Sequence, residues 1–496
     1  MNRHHVLSCI AGALFLLAFE PFDVSMLSII SVCYLFYLSI NQPPKTVAQC
    51  FFCFALVLFS SGLYWLYISI HTVSGAPIWL AILLIFLLSS LMALYYYLTG
   101  FLISKIYNAS QSKSLILLSI GPALWVLMEW VRGWLLSGFP WFSVGYSQIN
   151  TFLSNWAPIG GIYMVSWICA ISSGLLVLIY LGAKQTSTKA LFMLLVLLCT
   201  SWGVGVIQWT EPKSDKLNVS LVQGAIEQEK KWLPSEFRNT LDLYKKTLQS
   251  EDQLDVVIWP EVAIPAISKN VKPYLNEIST ILEKNSIQLL LLGVLTSNEA
   301  NGSVRNSMMA IGSSDVVYHK RHLVPFGEYF PVPNFIRSWL KRMGLPNRDI
   351  ESGASIQDMP QLNEVFIAPT ICYEDIFGSE QLGYFPEANV LVNITNNAWF
   401  GKSLAAEQHF QMSRMRAIET GRYLLRSTNT GVTAIVDPHG RIQKRSEPFT
   451  FSILKGTFVP MSGVTPYTKY GDSLILFLII LSLVLGYYWS IRRPKE

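Results

Sequence analysis

The sequence contains few charged residues for its length. Only 14% of its 496 residues are Asp, Glu, Lys or Arg, whereas 51% are hydrophobic. Soluble domains carry about 25% charged residues, so this composition excludes an ordinary soluble protein if the apolar residues are clustered. They are clustered, because runs long enough to cross a bilayer core, which takes about 20 residues, recur along the chain. The composition therefore predicts a polytopic membrane protein.

Eight apolar runs account for this hydrophobicity. They lie at 6–19, 24–41, 50–70, 77–104, 115–137, 158–182, 189–208 and 472–490. The first run resembles a signal peptide with a lipoprotein cleavage box at Val6–Cys9, but almost no apolar residue precedes Cys9, and we interpret it as a retained span. The runs predict a membrane domain at 1–208 with seven transmembrane helices, a separate domain at 209–471, and an eighth helix with its tail at 472–496.

Lysine and arginine are absent from the short loops on one predicted side of the membrane. The loops at 20–23, 71–76 and 138–157 contain neither residue. The basic residues on the other side are Arg3, Lys45, Lys105, Lys113, Lys184, Lys189, Arg492, Arg493 and Lys495. The positive-inside rule then predicts that both termini are cytoplasmic and that residues 209–471 lie outside the cytoplasm. Because these basic residues are concentrated on one predicted side of the membrane, they indicate the orientation of the chain in the membrane and not nucleic-acid binding.

Cysteine is nearly absent from the predicted outer domain. Of the seven cysteines, only Cys372 lies between residues 209 and 471, and the other six lie in apolar runs as small packing residues. Exported domains normally pair their cysteines, so a solitary thiol is either buried and inert or kept for its reactivity. The composition leaves both possibilities open.

The outer domain alternates apolar β-type runs with helical patterns. Strands are predicted at 217–226, 254–261, 287–296, 364–374 and 388–395, hairpins at 305–320 and 424–440, and helices at 235–249, 271–284 and 404–421, the last one amphipathic. This order predicts a largely buried sheet covered by helices.

Three ionisable residues stand where predicted buried strands end. Glu261 follows "VVIWP", Lys320 ends "DVVYHK" and Cys372 follows "IAPTI". Taken singly, Glu261 and Lys320 fit capped or solvated strand ends better than a site. Together, the three provide a nucleophile, a general base and a cation for an oxyanion, to which the backbone N–H of Tyr373 adds a second donor. Acyl transfer through a thioester needs these groups and neither a metal nor an organic cofactor.

The same stretches carry a resemblance to a known family. "WPE" at Glu261, "KRHLVPFGE" from Lys320 to Glu328 and "CYED" at Cys372 resemble the Glu-Lys-Cys triad motifs of the nitrilase (carbon–nitrogen hydrolase) superfamily. With "SGFPW" at 137–141 and eight predicted spans, the whole chain resembles the membrane-embedded apolipoprotein N-acyltransferase family. The resemblance implies a polytopic α-helical membrane domain of eight spans plus an extracytoplasmic α/β domain of the nitrilase-like α-β-β-α sandwich type.

The resemblance also implies a reaction. The family moves an acyl chain from a phospholipid, commonly phosphatidylethanolamine, to the N-terminal amine of diacylglyceryl-cysteine in an apolipoprotein. Cys372 corresponds to the acylated nucleophile, Glu261 to the general base, Lys320 to the oxyanion stabiliser and Glu328 to an accessory carboxylate that orients Lys320 or the amine. The other site-lining residues implied are Trp232, Tyr373, Glu374, Asn396, Asn397 and Trp399.

The cellular setting follows from the same resemblance. It implies a bacterial inner membrane, a catalytic domain on the periplasmic side and no cofactor. We expect a monomer, because one domain holds the complete triad. No metal is expected either, since His319 and His322 lack a third ligand in the sequence.

Two further features have alternative interpretations. Glu129 and Arg132, three residues apart in a predicted span, form either a structural ion pair or a lipid-headgroup contact. Residues 334–343 place Trp339 and other apolar side chains on one helical face, which fits a membrane-interface lid or a helix that packs on the core.

Two other functions remain as alternatives at this stage. The first is a membrane-anchored nitrilase-type amidohydrolase, in which water attacks the thioester, although one span would suffice to anchor it. The second is a transporter or receptor with an inert outer domain, for which we would expect more polar residues within the spans than the sequence contains.

Overall fold

The structure is a computed structural model that describes residues 2–250, 253–298, 300–342 and 349–492. The chain divides into two compact units. The first comprises Met1–Tyr64, Ile82–Gln208 and Tyr470–Glu496, and the second comprises Trp65–Ala81 and Trp209–Lys469. The short segment Trp65–Ala81 thus folds with the second unit, although the chain around it belongs to the first.

The first unit is built from apolar helices. They are α1 (Arg3–Leu16), α2 (Met26–Ser39), α3 (Pro44–Gly62), α4 (Ile78–Ser110), α5 (Lys113–Arg132), α6 (Phe152–Leu181), α7 (Lys184–Val204) and a C-terminal helix (Ser473–Arg492). Helices suit this composition because an α-helix satisfies its own backbone hydrogen bonds in hydrocarbon.

All eight apolar runs of the sequence are helical, but they differ in length. In the described part of the chain, five helices, α3 to α7, are long and apolar enough to cross a membrane. The helices α1, α2 and Ser473–Tyr488 are apolar but shorter. The chain is therefore a membrane protein with five candidate spans, and the count of eight belongs to the proposal below.

The second unit contains two large β-sheets and one small one. Its strands are β1 (Thr210–Pro212), β2 (Leu217–Gln223), β3 (Val256–Ile258), β4 (Ile264–Ile267), β5 (Leu289–Ser297), β6 (Val304–Gly312), β7 (Val317–His319), β8 (Gln361–Leu362), β9 (Val365–Ile371), β10 (Ala388–Thr395), β11 (Leu424–Thr428), β12 (Ala434–Val436), β13 (Ile442–Arg445), β14 (Ser452–Phe458) and β15 (Met461–Gly463). One large sheet has the order β14-β2-β3-β5-β6-β7 with β4 beside β5, the other has the order β13-β12-β11-β10-β9-β8, and β1 pairs with β15.

The central strands of both large sheets are parallel. In one sheet β2, β3 and β5 run in parallel, and in the other β9, β10 and β11 do. Parallel strands are buried on both faces, which explains why "VVI" of β3 and all of β10 are apolar or buried without alternation. Residues that follow such strands emerge together at one edge, and the candidate site lies there.

The two large sheets face each other across one core and carry helices on their outer faces. Val219, Ile258 and Leu291 of one sheet share this core with Ile367 and Val392 of the other. The longer helices of this unit are α8 (Pro234–Gln249), α9 (Lys272–Lys284), α10 (Asn334–Arg342) and α11 (Ala405–Thr420). A second core joins α8 and α9 to the first sheet, and α11 contributes side chains to the core on the side of the second sheet. The layer order is helix, sheet, sheet, helix.

Helix α11 differs from the sequence prediction. We expected an amphipathic helix at 404–421, but every residue of α11 except Glu407 is buried. The polar face is buried because its charges are paired, as in the ion pair from Arg416 Nη2 to Glu419 Oε1 at 2.9 Å. Hydrophobic periodicity therefore predicted the burial of this helix incorrectly, because its second face consists of polar residues that have partners inside the protein.

Candidate active site

Glu261 lies in the turn that follows β3, and its side chain points into the interior of the second unit. It is 6% exposed, and its carboxylate Oε1 accepts a hydrogen bond from Asn306 Nδ2 at 2.7 Å. The Pro260 carbonyl and Val262 N–H of the same turn lie 2.4 Å from the position that a Cβ on Gly293 would occupy. A side chain at Gly293 would displace this turn, so the glycine in β5 permits the close approach that positions Glu261.

Lys320 follows β7 and lies between two carboxylates. Its Nζ donates to Glu328 Oε1 at 2.9 Å and lies 3.6 Å from Glu261 Oε1. Its side chain is 1% exposed, and Asn306 Nδ2 also reaches Glu328 Oε1 at 3.2 Å. Burial opposes the ammonium charge, but Glu328, Glu261 and Cys372 outweigh it and hold the pKa of Lys320 above its ordinary value. Lys320 is therefore a permanent cation in this site.

Cys372 ends β9 and begins a short 3₁₀ turn, Cys372–Ile376. Its φ is +55°, a left-handed conformation that is costly for a residue with a Cβ and that occurs at functional sites. The thiol is partly buried against the core between the sheets, where the charges of Glu261 and Lys320 both act on it. The structure thus brings together the three residues that the sequence predicted as a triad.

The environment of Cys372 favours the neutral thiol. Burial and then the Glu261 charge raise its pKa to about 12, while Lys320 and a hydrogen bond with Thr395 oppose the shift. The charge of Lys320 favours the thiolate, but burial has the larger effect on the pKa. A base must therefore take the proton when Cys372 reacts.

Glu374 accepts hydrogen bonds from both chain segments that carry the proposed catalytic groups. The donors are the Tyr318 hydroxyl at 2.9 Å and the backbone N–H groups of Arg321 at 2.5 Å, His322 at 3.2 Å and Ile371 at 2.6 Å. Glu374 is 2% exposed, and burial raises its pKa while Arg321 and the backbone donors oppose the shift. In the structure it holds the segments around Lys320 and Cys372 together.

Tyr373 and Trp232 are the more accessible of the predicted lining residues. The Tyr373 ring contacts the rings of His322 and Phe377, with centroids at 5.7 Å and 5.1 Å. Trp232 follows the short helix Gln228–Lys231 and is 51% exposed. Trp232 is thus exposed, whereas Tyr373 is only partly exposed.

The stretch Asn396–Trp399 directly follows β10, and the side chains of its two asparagines contact other buried polar groups. Asn396 Nδ2 donates to Gln228 Oε1 at 2.9 Å, and Asn397 Nδ2 lies 3.3 Å from His409 Nδ1. Both asparagines are buried, whereas Trp399 is partly exposed in the turn Asn397–Phe400. The two asparagines thus position other groups, and of these three residues only Trp399 is open to a ligand.

Glu129 and Arg132 do not pair with each other in the structure. Glu129 Oε1 accepts from Val144 N at 2.8 Å, and Arg132 Nη1 donates to the carbonyls of Phe139 at 2.7 Å and Trp141 at 2.5 Å. Both side chains are almost fully buried. The expected ion pair is replaced by two sets of hydrogen bonds to one loop, which satisfy backbone groups that hydrocarbon would leave unpaired.

Trp339 lies on α10 and is 39% exposed, and Phe335 on the same helix is 75% exposed. Residue 343 of the predicted apolar face lies outside the described residues. Phe326, in the loop after Lys320, is 48% exposed. This helix therefore presents aromatic side chains to its surroundings and does not pack them all on the core.

The sequence analysis did not predict a buried cluster of hydrogen-bonded side chains that reaches the backbone of Cys372. Asp375 Oδ1 lies 2.7 Å from His409 Nε2, and Asp375 Oδ2 accepts from Arg426 Nη1 at 2.7 Å. Arg426 also donates to Asn393, whose Nδ2 donates to the Cys372 carbonyl at 3.3 Å. Asn306, between Glu261 and Glu328, was missed as well. These partners come from strands, a turn and a helix that are distant in sequence, so no local motif could have revealed them.

The described residues contain no group of three or more His, Cys, Asp or Glu that could hold a metal ion.

Comparison with known families agrees with this architecture. The carbon–nitrogen hydrolase family model matches residues 218–460, and the model for the N-terminal domain of apolipoprotein N-acyltransferase matches residues 11–175. The second unit is thus a carbon–nitrogen hydrolase domain, carried by a chain with membrane helices.

Relatives over nearly the full length give the narrower family. The chain is 37% identical to an apolipoprotein N-acyltransferase from Methylococcus capsulatus over 94% of this chain and 92% of the relative. It is 36% identical to one from Azotobacter vinelandii (99% and 95%) and 33% identical to one from Vibrio parahaemolyticus (98% and 96%). The chain belongs to the apolipoprotein N-acyltransferase family.

Proposed function

We propose that Cys372, Glu261 and Lys320 catalyse the transfer of an acyl chain from a phospholipid to the N-terminal amine of diacylglyceryl-cysteine in an apolipoprotein. Family membership makes the chain an N-acyltransferase, with a lipid donor and a lipoprotein acceptor. The observation that carries the assignment of roles is the convergence of Glu261 and Lys320, 3.6 Å apart, on the Cys372 thiol.

The first half-reaction forms a thioester. The Cys372 sulfur attacks the carbonyl carbon of the phospholipid ester while Glu261 takes the thiol proton, and the carbonyl oxygen becomes an oxyanion near Lys320. The intermediate collapses by breaking the carbon–oxygen bond, and Glu261 returns the proton to the leaving oxygen. The products are acyl-Cys372 and a lysophospholipid.

The second half-reaction uses the same groups in the reverse direction. The acceptor amine must be neutral to attack, so Glu261 takes a proton from the attacking nitrogen and passes it to the Cys372 sulfur as the carbon–sulfur bond breaks. The amide product leaves with the acyl chain. Glu328 keeps Lys320 in place through both steps, since its carboxylate is bonded to Nζ at 2.9 Å.

The membrane arrangement is proposed from charge and hydropathy. Eight spans, with α1, α2 and the C-terminal helix added to the five long ones, put both termini in the cytoplasm and residues 209–471 on the periplasmic side of a bacterial inner membrane. This division into 1–208, 209–471 and 472–496 suits substrates that are both lipids. We further propose phosphatidylethanolamine as the usual donor and a monomer as the working unit.

The aromatic face of α10 is proposed as a lid at the membrane interface. Phe335 and Trp339 are exposed, while Arg337 on the same helix is paired with Asp349 at 2.8 Å. An exposed aromatic face beside satisfied charge is typical of a helix that lies in the headgroup region. Trp232, Tyr373 and Trp399 are proposed to contact the acyl chains.

Neither alternative function is favoured. For a membrane-anchored amidohydrolase or an inert receptor we would expect relatives with those functions. The relatives described above match this chain over more than 90% of their own length and are named as acyltransferases.

Steady-state kinetics with both substrates test the proposal. Varying phospholipid at several fixed concentrations of diacylated lipopeptide should give parallel double-reciprocal lines, because lysophospholipid leaves before the acceptor binds. The product should be N-acylated lipopeptide. Glu261→Gln and Lys320→Ala should each lower kcat by about 100-fold or more. Intersecting lines, or free fatty acid as the main product in the presence of acceptor, would refute the mechanism.

A further inference from the structure

A second lysine lies in the candidate site and has no role in the mechanism above. Lys231 ends the short helix Gln228–Lys231 and is 3% exposed. Its Nζ donates to the backbone carbonyl of Glu261 at 3.0 Å, next to the proposed base. The charges of both Glu261 and Cys372 act on it. A buried ammonium costs several kcal/mol, so its retention here calls for an explanation.

The local structure directs Lys231 inward. Gln228 and Lys231 are three residues apart and therefore share a face of the helical turn, and both are buried, while Lys230 between them is exposed. Gln228 is fixed by Asn396, and Asn396 is fixed in turn by Asn429 at 3.0 Å. This chain of amides anchors the turn, so the position of the Lys231 side chain does not depend on its own single bond.

The ammonium of Lys231 has unused donors. An ammonium carries three N–H groups, and the carbonyl of Glu261 accepts one. In the part of the chain that the structure describes, no carboxylate forms an ion pair with Lys231, whereas Lys320 is bonded to Glu328 and flanked by Glu261. Lys320 thus has two carboxylates within ion-pair distance, whereas Lys231 has none among the described residues and interacts with Glu261 only over a longer range.

A count of charges shows what the second lysine supplies. Once Glu261 holds the thiol proton, the tetrahedral intermediate leaves a negative oxyanion and the negative Glu328 in the site. Lys320 alone would balance only one of these charges. Lys231 balances the other, so the site is neutral at the intermediate as it is at rest, when Glu261 is charged. What changes is the position of the negative charge, which leaves Glu261 and appears on the oxyanion. An interaction with charge that develops only during the reaction lowers the free energy of the transition state. It leaves the free energy of the bound substrate unchanged, so the barrier becomes smaller.

We propose that Lys231 is a further catalytic residue, whose ammonium donates to the oxyanion of the acyl-transfer intermediate beside Lys320. No proton is transferred by Lys231, and it remains charged through the step. The proposal rests on the acyl-Cys372 mechanism above, of which it specifies the oxyanion site.

The pKa of Lys231 gives this role a pH dependence. Burial lowers its pKa to about 8, and Glu261 and Cys372 oppose the shift. The groups that face it are Glu261 from the turn after β3 and Cys372 from the turn after β9. Because the charged form is the active one, the acylation rate should be highest below pH 8 and fall as pH rises through that value.

Acylation of Cys372 in a single turnover with phosphatidylethanolamine and no acceptor tests the proposal. Lys231→Met should acylate about 100-fold more slowly with an unchanged half-saturating phospholipid concentration, and its remaining rate should not fall above pH 8. Lys231→Arg, which keeps the charge, should retain at least ten times the rate of Lys231→Met. The matched control is Lys230→Met, which removes an exposed lysine paired with Glu227 and should equal the wild type.

The outcomes separate the two proposals. If wild type forms no acyl-Cys372, the mechanism itself fails. If wild type forms it and Lys231→Met acylates within twofold of Lys230→Met, only the role of Lys231 fails. A purely structural lysine would give equal losses in Lys231→Met and Lys231→Arg together with a lower thermal midpoint. The proposal requires a Lys231→Met midpoint that is unchanged or higher, since a buried charge has been removed.

Discussion

At the scale of single residues, the thiol of Cys372 is held in its unreactive form at rest. Burial disfavours the thiolate most, and the carboxylates of Glu261 and Glu328 add to this effect. This arrangement protects the thiol from chance alkylation and oxidation, because the thiolate is the reactive species. In the proposed mechanism, the thiol reacts only when a bound ester allows Glu261 to accept the proton during attack.

Alkylation of Cys372 by iodoacetamide across a pH series measures this directly. We expect slow alkylation at pH 7 and a rate that still rises above pH 9, well beyond the ordinary thiol pKa of about 8.5. Glu261→Gln removes a negative charge and should lower the apparent pKa, whereas Lys320→Ala removes a positive charge and should raise it. A midpoint near or below 8.5 in the wild type would contradict the proton-transfer step from Cys372 to Glu261.

At the scale of elements, the site is assembled from strand ends and the turns that follow them. β3, β7 and β9 deliver Glu261, Lys320 and Cys372, and Glu374 ties the segments of the latter two together. Rigid strands with short turns fix side chains more closely than long loops do. The helix α10 differs from these turns because it exposes the aromatic side chains of Phe335 and Trp339.

Trp339→Asp on α10 tests whether this helix meets the lipid surface. The substitution removes an aromatic side chain from this face and puts a charge there. Turnover of phospholipid in vesicles should therefore drop by roughly tenfold or more, which corresponds to the free energy gained when one large aromatic side chain enters an apolar environment. Turnover of a water-soluble short-chain ester should not change. Ser338→Asp, which adds the same charge on an exposed neighbouring position, is the matched control.

Equal loss with both esters would show that Trp339 supports the fold. In that case α10 is a surface helix of the catalytic unit, and the lid is abandoned.

At the scale of the whole molecule, the sequence predicted the framework well and the site partly. Continuous apolar runs identified every helix of the first unit and the central parallel strands of the second, because burial on all sides leaves a clear signal in composition. The candidate triad was predictable for the same reason, since charged residues are conspicuous directly after such runs.

The residues that the sequence did not reveal act through contacts between distant segments. Asn306 bridges Glu261 and Glu328, and Lys231 reaches the carbonyl of Glu261 from a polar stretch, "QEKKW", that has no unusual pattern. The buried polar face of α11 was hidden likewise, because hydropathy does not show whether a polar residue has an internal partner. Only the fold supplies these pairings.

Mass spectrometry of Cys372 after incubation with defined phosphatidylethanolamine and no acceptor tests the central claim most directly. The peptide that contains Cys372 should gain the mass of one acyl chain, and neutral hydroxylamine should release it, as expected for a thioester. The gain should be absent in Cys372→Ala and strongly reduced in Glu261→Gln. An unmodified Cys372 peptide in an enzyme that nevertheless acylates lipopeptide would contradict the account.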